Sequence, residues 1–554
     1  MNIRNYNIFF HTHTISGIII CGLLYVIFFA GSFSFFKKEI SAWQKNTSYT
    51  TYEKDQHSYD YLLDSLKGGM NMHGRDISIY MQRTGVGAYF NLSASNDSIL
   101  NKENVAHLAA KKKSEGGQPT KGRRGRGGED SKYFNYDFVK KSSGDYATNY
   151  DMGEFLYRLH FLAQLNEVPI RMGIAPFGYF VAGVTSFLFL FALITGLLLH
   201  WDKIVNNFFV YRPFNKWKTV WTDMHTGLGV IGFPFQFLYA VTGIFLIINS
   251  VLVLPFSNLL YKGDTDKMYQ DLGYSRNVTH AYSYQPMEHN VRIADYLSLA
   301  EQKYPDADVT RFFIKNYADS NMHIIMELEA KHPKSFAGVG MVDIRVHDQK
   351  IMHEKSPTQN LTYVDWIKAL IYRLHFGDFG GLPLRALYFV LGIMGCLVIT
   401  SGILIWLVAR DKNNVLPYKR KFNAWLANFF MAVCLTMLPV TALTFIAIKV
   451  SPVVDQSFIY RVYFICWLLF TLYYTLRKSI NRTNRESLLL GSVLAFLVPL
   501  TNGIVTGNWF WKTLFYRQTD LFLIDFLWII IAVIALTAFM KSRQFFKNLA
   551  QQKK

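Results

Sequence analysis

The sequence predicts a polytopic α-helical membrane protein with about eight transmembrane helices and two small α+β modules outside the bilayer. Three observations carry this reading. Hydrophobic residues fill 51% of the 554 positions, and the mean hydropathy of +0.12 is high for a soluble chain. These residues gather into about eight runs, each close to the roughly 20 residues a bilayer span requires. Two long polar stretches between the early runs carry helix and strand periodicities instead. Abundant Phe (46) and Tyr (33) fit side chains that meet lipid and its interface.

The predicted spans are residues 14–36, 176–200, 226–252, 384–408, 424–448, 458–476, 487–505 and 521–540. Aromatics precede the first and no small-residue cleavage site follows it, so it reads as a retained anchor. The basic stretches 203–218, 410–421, 477–485 and 541–554 fall on one face when the spans alternate. The positive-inside rule makes that face cytoplasmic, with both termini inside. The layout is then a first span (1–36), an outer module (37–171), spans two and three (172–254), a second outer module (255–383), span four (384–409), and four extra spans with a basic tail (410–554). The net charge of +19 is explained by these loops, so the partner they imply is the bilayer and not nucleic acid. One basic stretch, "KKKSEGGQPTKGRRGRGG" at 111–128, falls outside. Long loops are exempt from the rule, and its Gly-rich composition predicts a disordered insertion. The cysteines, Cys21, Cys396, Cys434 and Cys466, lie in apolar runs without a Cys-x-x-Cys, which argues against thiolate metal sites and disulfides.

Both outer modules read helix, strand, strand, strand. In the second, "VRIADYLSLAEQKYP" is an amphipathic helix followed by "VTRFFIKNY", "MHIIMELEA" and "GVGMVDIRV". In the first, "SYDYLLDSLKGG" precedes "DISIYMQR", "GAYFNLSAS" and, beyond the insertion, "KYFNYDFVKK". Each is a module that packs a helix on one sheet face.

The first four spans form a tandem repeat, with one unit over about 11–201 and the other over about 225–406. "YRLHF" occurs at Tyr157–Phe161 and again at Tyr372–Phe376, ahead of spans two and four. His13 is followed by Gly17 and Gly31, and His225 by Gly229 and Gly243, at identical offsets. An offset of about five helical turns puts each His and its glycines on one face. Spans two and four end in Thr195–Gly196 and in Thr400 with Gly402. Internal repeats commonly build a site at their interface.

Of 15 histidines none follows His375, so the last four spans have none. His13, His200 and His225 sit at predicted cytoplasmic ends, and His160 and His375 near outer ends. A ring in such a place is costly without a partner. Repeat symmetry pairs His13 with His225 and His160 with His375. Two pairs at opposite faces suit axial ligation of two b-type haems between facing helices. Gly17, Gly31, Gly229 and Gly243 leave room for a flat macrocycle or for a close helix. A single interfacial His more often anchors a helix, so the weight rests on the doubled pattern. His200 shares a face with Gly196 and is a third cytoplasmic-side histidine, open as a ligand, as a partner of a third haem or as a propionate partner. Arg158 and Arg373, at matching places before the outer pair, are propionate candidates that would equally grip lipid head groups. Asp202, Lys203, Arg212 and Asp223 read as ordinary interfacial charge, and Asp525 and Arg461 as snorkelling side chains. His11, His57, His73, His107, His280, His289, His323, His332, His347 and His353 have no repeat partner and read as surface residues.

"YRLHFGDFGGLPLR", "VITSGILIW" and "DMHTGLGVIGFPFQFLYAVTGIF" resemble the PepSY-associated transmembrane family of iron-regulated bacterial inner-membrane proteins. The resemblance spans about 7–410, with a PepSY-like module at 291–353 and a diverged one in the first unit. It implies a periplasmic place for both modules and b-type haem in a four-helix core. It also implies a membrane oxidoreductase that passes electrons outward to ferric siderophores during iron uptake. The family's histidines fall on His13, His160, His225 and His375, with His200 matching a further one in some members. The four last spans and the basic insertion lie outside the pattern. No Walker A loop, dinucleotide GxGxxG or HExxH is present, so the electron donor is a quinol or a separate cytoplasmic reductase. Two other classes stay open: a haem-free PepSY-type binding or regulatory membrane protein, and a transporter of iron or its chelate built on the parallel repeat.

Overall fold

The computed structural model describes all residues except 1, 53–54, 56, 83–85, 115–129, 171–174, 206–209, 213–216, 273–277, 288–290, 332–337 and 553–554. The chain opens with α1 (Ile3–Ser34) and α2 (Lys37–Lys45). Then come α3 (Ser58–Gly69), β1 (Arg75–Met81), β2 (Gly87–Ser95), α4 (Ser98–Ser114), β3 (Lys132–Asp137) and β4 (Ser142–Gly144). Four helices follow: α5 (Met152–His160), α6 (Phe177–His200), α7 (Trp217–Tyr261) and α8 (Thr265–Asp271). The next stretch holds α9 (Ile293–Lys303), β5 (Ala307–Lys315), β6 (His323–Ala330), β7 (Gly340–Arg345) and β8 (Lys350–Lys355). The remainder is helical: α10 (Tyr363–Phe376), α11 (Gly381–Arg410), α12 (Pro417–Leu435), α13 (Met437–Val450), α14 (Gln456–Arg477), α15 (Ile480–Thr506), α16 (Phe510–Phe515) and α17 (Thr519–Gln552).

Two compact units divide the chain: a helical unit of Met1–Thr50, Tyr150–Val253 and Ile371–Lys554, and a sheet unit of Thr51–Asn149 and Leu254–Leu370. Among its described residues the helical unit contains eight stretches long and apolar enough to cross a membrane, one for each predicted run. The protein is a multi-pass helical membrane protein. Helix α1 is central, packing against α5, α6, α11 and α12. It is apolar almost all round, as a helix surrounded by others must be. On α11, a Cβ at Gly395 would come within 2.6 Å of Phe28 on α1, so small residues bring these two helices together.

The last four spans form α12–α13, α14, α15 and α17. Asp525 of α17 is wholly buried and accepts bonds from Trp43 Nε1 (2.7 Å) and Asn502 Nδ2 (2.9 Å). Lys449 of α13 is buried beside it and donates to the Trp43 carbonyl. The snorkelling expectation for Asp525 is therefore corrected: the carboxylate points inward, because a tryptophan and an amide wait there to donate. Arg461 lies on the exposed surface. Helices α2 and α5 fall within the helical unit, so the polar regions 37–171 and 255–383 are drawn more narrowly by the fold than by composition.

In the sheet unit the two modules share one antiparallel sheet of order β4-β3-β2-β1-β5-β6-β7-β8. The seam is β1 against β5, with Ile77 opposite Ile314 and Ile79 opposite Phe312. Each half contributes one helix to the packed face of the sheet, α3 or α9, and four strands, one strand more than its sequence pattern predicts. Alternation puts Ile77, Ile79, Phe312, Ile314, Ile324, Met326, Val342 and Ile344 on one face, against Tyr59, Leu62 and Leu63 of α3 and Ile293, Tyr296 and Leu297 of α9. The cores merge, and Asp60 of α3 accepts from the Ile293 amide at the start of α9 (2.5 Å). The insertion 111–128 begins as the end of α4, and 115–128 lies outside the described residues.

Candidate functional site

The helical unit gathers the four repeat histidines in two layers. His13 and His225 have ring centres 6.1 Å apart, and His160 and His375 have theirs 5.9 Å apart. Helix α1 carries His13 near one end and supports His160 near the other, at Gly31. Those positions are eighteen residues apart, about 27 Å of helical rise.

Each ring is tethered at Nδ1 to a neighbouring helix. His13 bonds the Ala192 carbonyl, His160 that of Ile27 and His225 that of Val398, all at 2.8 Å. His375 bonds the Thr242 hydroxyl, also at 2.8 Å. In the three carbonyl cases the residue four positions on is a glycine: Gly196, Gly31 and Gly402. A Cβ tilts toward the helix N-terminus and covers the carbonyl one turn back. A glycine leaves that carbonyl reachable by a ring from another helix. A Cβ at Gly196 would lie 2.9 Å from His13 Cε1, and one at Gly402 3.2 Å from His225 Cε1. At Gly31 it would lie 2.8 Å from His160 Cε1 and closer still to Nδ1. Gly243 is looser, 3.8 Å from His375 Cε1.

The predicted glycines thus divide by task. Gly31 and Gly243 seat the second histidine pair. Gly17 and Gly229, one turn beyond His13 and His225, have nothing within 4 Å of an added Cβ. Gly196 and Gly402 seat the first pair and are additional site residues. Their signal was the Thr/Gly ending of both spans.

The donor set fits b-type haem. With Nδ1 committed to an acceptor, Nε2 of each ring is the nitrogen left to ligate, the arrangement metal-binding histidines use. An imidazole nitrogen bonds a transition metal at roughly 2 Å and lies roughly 1 Å from its ring centre, so two axial rings stand about 6 Å apart. Both pairs meet that spacing. Along α7 between the layers, Gln236 Nε2 and Tyr239 Oη are buried and lack a hydrogen-bond partner among the described residues. They are polar atoms facing a protein that does not satisfy them.

The other predicted residues are placed differently. His200 ends α6, half-buried, near enough to His225 to interact with it electrostatically. Arg158 lies 4.0 Å from Glu154, and Arg373 lies 3.8 Å from Asp378, so each stands beside a carboxylate of its own segment. Arg212 donates Nε and an Nη to Asp223, which accounts for both charges. Of the histidines expected at the surface, His323 is 3% exposed and stacks on His280 at 3.5 Å, a correction treated below. His289 and His332 lie outside the described residues.

A multi-pass helical core built as a tandem repeat, with paired histidines in two layers and paired α+β modules spliced between its spans, defines the class. The chain belongs to the PepSY-associated TM region family, which matches residues 10–409. No curated protein matches the chain. The family match stops at the end of α11, so α12–α17 lie beyond it.

Proposed function

We propose that the protein is a haem b-containing electron-transfer protein of a bacterial inner membrane, reducing a ferric siderophore or other ferric chelate in the periplasm during iron uptake. The observation that carries this is the two pairs of histidines, each about 6 Å apart and each tethered at Nδ1 to a neighbouring helix. His13 and His225 would hold one haem and His160 and His375 the other. Bound haem supplies reversible one-electron chemistry at iron. The glycine seats fix ring orientation, and the apolar walls of α1, α6, α7 and α11 exclude water. The layer separation of about 27 Å matches a hydrocarbon core of about 30 Å. With the termini cytoplasmic, the His13–His225 layer lies at the inner face, where a quinol or a cytoplasmic reductase would donate. The His160–His375 layer lies at the outer face, where the chelate would accept. Arg158 and Arg373 are the cations of that layer for a propionate or an anionic chelate.

The test is a spectrum of the purified protein. The expected result is a dithionite-reduced spectrum with b-type Soret and α bands, lost when His13, His160, His225 and His375 are all changed to Ala. A colourless wild-type protein, or undiminished haem in the fourfold variant, would sink the reading. Ferric-chelate reduction by reduced proteoliposomes then tests the activity.

A further inference from the structure

His323 opens β6 and Asp343 lies in β7. Register pairs His323 with Arg345 and Ile325 with Asp343, so His323 and Asp343 are diagonal neighbours. Their neighbours Ile324, Val342 and Ile344 point into the α3–α9 core, so these two side chains stand on the opposite face. Both are buried, at 3% exposure each.

The third member arrives from outside the sheet. His280 lies on an irregular segment bound to the β5–β6 turn. Asn316 Nδ2 donates to the carbonyls of His280 (3.1 Å) and Ala281 (3.3 Å), and Asn321 Nδ2 to that of Ala281 (2.7 Å). Asp319, wholly buried, accepts from Ser283 N (3.1 Å) and Oγ (2.8 Å). These bonds fix His280 over His323, with the rings nearly parallel (9°).

Both imidazoles then address one carboxylate. His323 Nδ1 is 2.8 Å from Asp343 Oδ1, and His280 Nε2 is 3.0 Å from Oδ2. The His280 nitrogen is buried and makes no hydrogen bond of good geometry. His323 Nε2 faces Asn321 Oδ1 at 3.3 Å, the acceptor that would keep a proton on Nε2 and turn the Nδ1 lone pair toward the carboxylate. In that tautomer a cation held between Nδ1 and the carboxylate satisfies both.

We propose that His280, His323 and Asp343 bind one divalent transition-metal ion of the zinc class, clamping the 278–285 segment onto the sheet. All three ligand atoms lie within 4.8 Å of one another. Bonds of roughly 2.0–2.1 Å in a tetrahedral site set neighbouring ligand atoms about 3.3 Å apart, so the two nitrogen–oxygen distances open by a few tenths of an ångström and the loop-borne His280 ring turns out of its stack on His323 to bring both ring planes onto the ion. Two imidazoles with one carboxylate select a borderline metal over calcium or magnesium. Three protein ligands leave one position for water or an incoming ligand. His353 lies across from Asp343 in the β7–β8 pairing but is exposed and outside the set. The site stands independently of the haem reading.

The experiment is calorimetric titration of zinc chloride into the full-length protein in detergent after mild chelator treatment, with metal content counted after gel filtration. One zinc per chain is expected, with affinity falling at least about tenfold in His280→Gln, His323→Gln and Asp343→Asn. The exposed-residue variant His347→Gln is expected to bind as wild type. Elution volume and far-UV circular dichroism check each fold. His280→Gln is the decisive variant, since it leaves both strands untouched. No zinc on the wild type would overturn the site. Wild-type zinc binding in His280→Gln would overturn it equally, whatever the strand variants do.

Discussion

The two copies of YRLHF share five residues and little else in their surroundings. On α5, Met152, Gly153, Phe155, Leu156 and Leu159 are buried. On α10 no residue is buried, and Tyr363, Trp366 and Tyr372 are exposed. The cause is the added helices. Phe155 packs on Tyr463 (4.7 Å) and Phe464 (5.8 Å) of α14. Next to it, Trp43 of α2 is fixed by Asp525 of α17 and the Trp43 carbonyl by Lys449 of α13. The four spans without histidine therefore brace one histidine, His160, while His375 has no such brace among the described residues. After His375 the chain turns through Gly377 at φ +62°, where Tyr388 would contact any side chain. This teaches that a repeat can keep its histidines symmetric while making one side rigid and the other accessible. Under the proposed function, the His375 side is where a chelate would approach.

The largest break in this comparison is Phe155→Ala. Removing a fully buried phenyl ring is expected to cost about 3–5 kcal/mol, read as thermal unfolding in detergent. Under the proposed function it is also expected to loosen haem at the His160–His375 layer while sparing the His13–His225 layer. The matching change on α10, at half-buried Leu370 (Leu370→Ala), is expected to lower the unfolding midpoint far less. Equal losses from both would show that the brace is not what distinguishes the copies.

Much of this was legible in the sequence, for a definite reason. Each span is an apolar run, and lipid admits little else, so existence and order could be read directly. The histidine pairs were legible because the repeat projects the same offsets twice. The glycine seats were half legible: Gly31 and Gly243 stood out by offset, but that Gly31 belongs to His160 and not to His13 depends on which helices touch. The shared sheet was not legible, since the pairing of Ile77 with Ile314 joins residues far apart in the chain. Nor was the His280–His323–Asp343 cluster, whose members follow no local spacing and meet only through strand register. Asp525 misled because a carboxylate near a span end looks like a snorkelling group until its donors on other helices are seen.

A sharper and smaller contrast compares the glycine seats. Gly31 offers no room beside His160, whereas an added Cβ at Gly243 makes only ordinary contact with His375. Under the proposed function, Gly31→Ala is expected to displace His160 and lower haem content toward half, measured as haem per chain. Gly243→Ala is expected to retain the full content. Loss in both, or in neither, would separate haem retention from these seats.

The smallest effect probes charge and leaves packing alone. Arg158 and Arg373 occupy matching positions, each beside a carboxylate of its own segment. Removing a nearby cation favours the oxidised, more positive iron, so each Arg→Gln change is expected to lower the midpoint potential of the second-layer haem by on the order of tens of millivolts. Arg373 is the less exposed of the two side chains, 12% against 25%, and less screened by solvent, so its change is expected to be larger. Potentiometric titration of the α band, with haem content unchanged, reads this directly. A lowered potential confined to the His13–His225 layer would place these arginines with the wrong haem and break the assignment of the second layer.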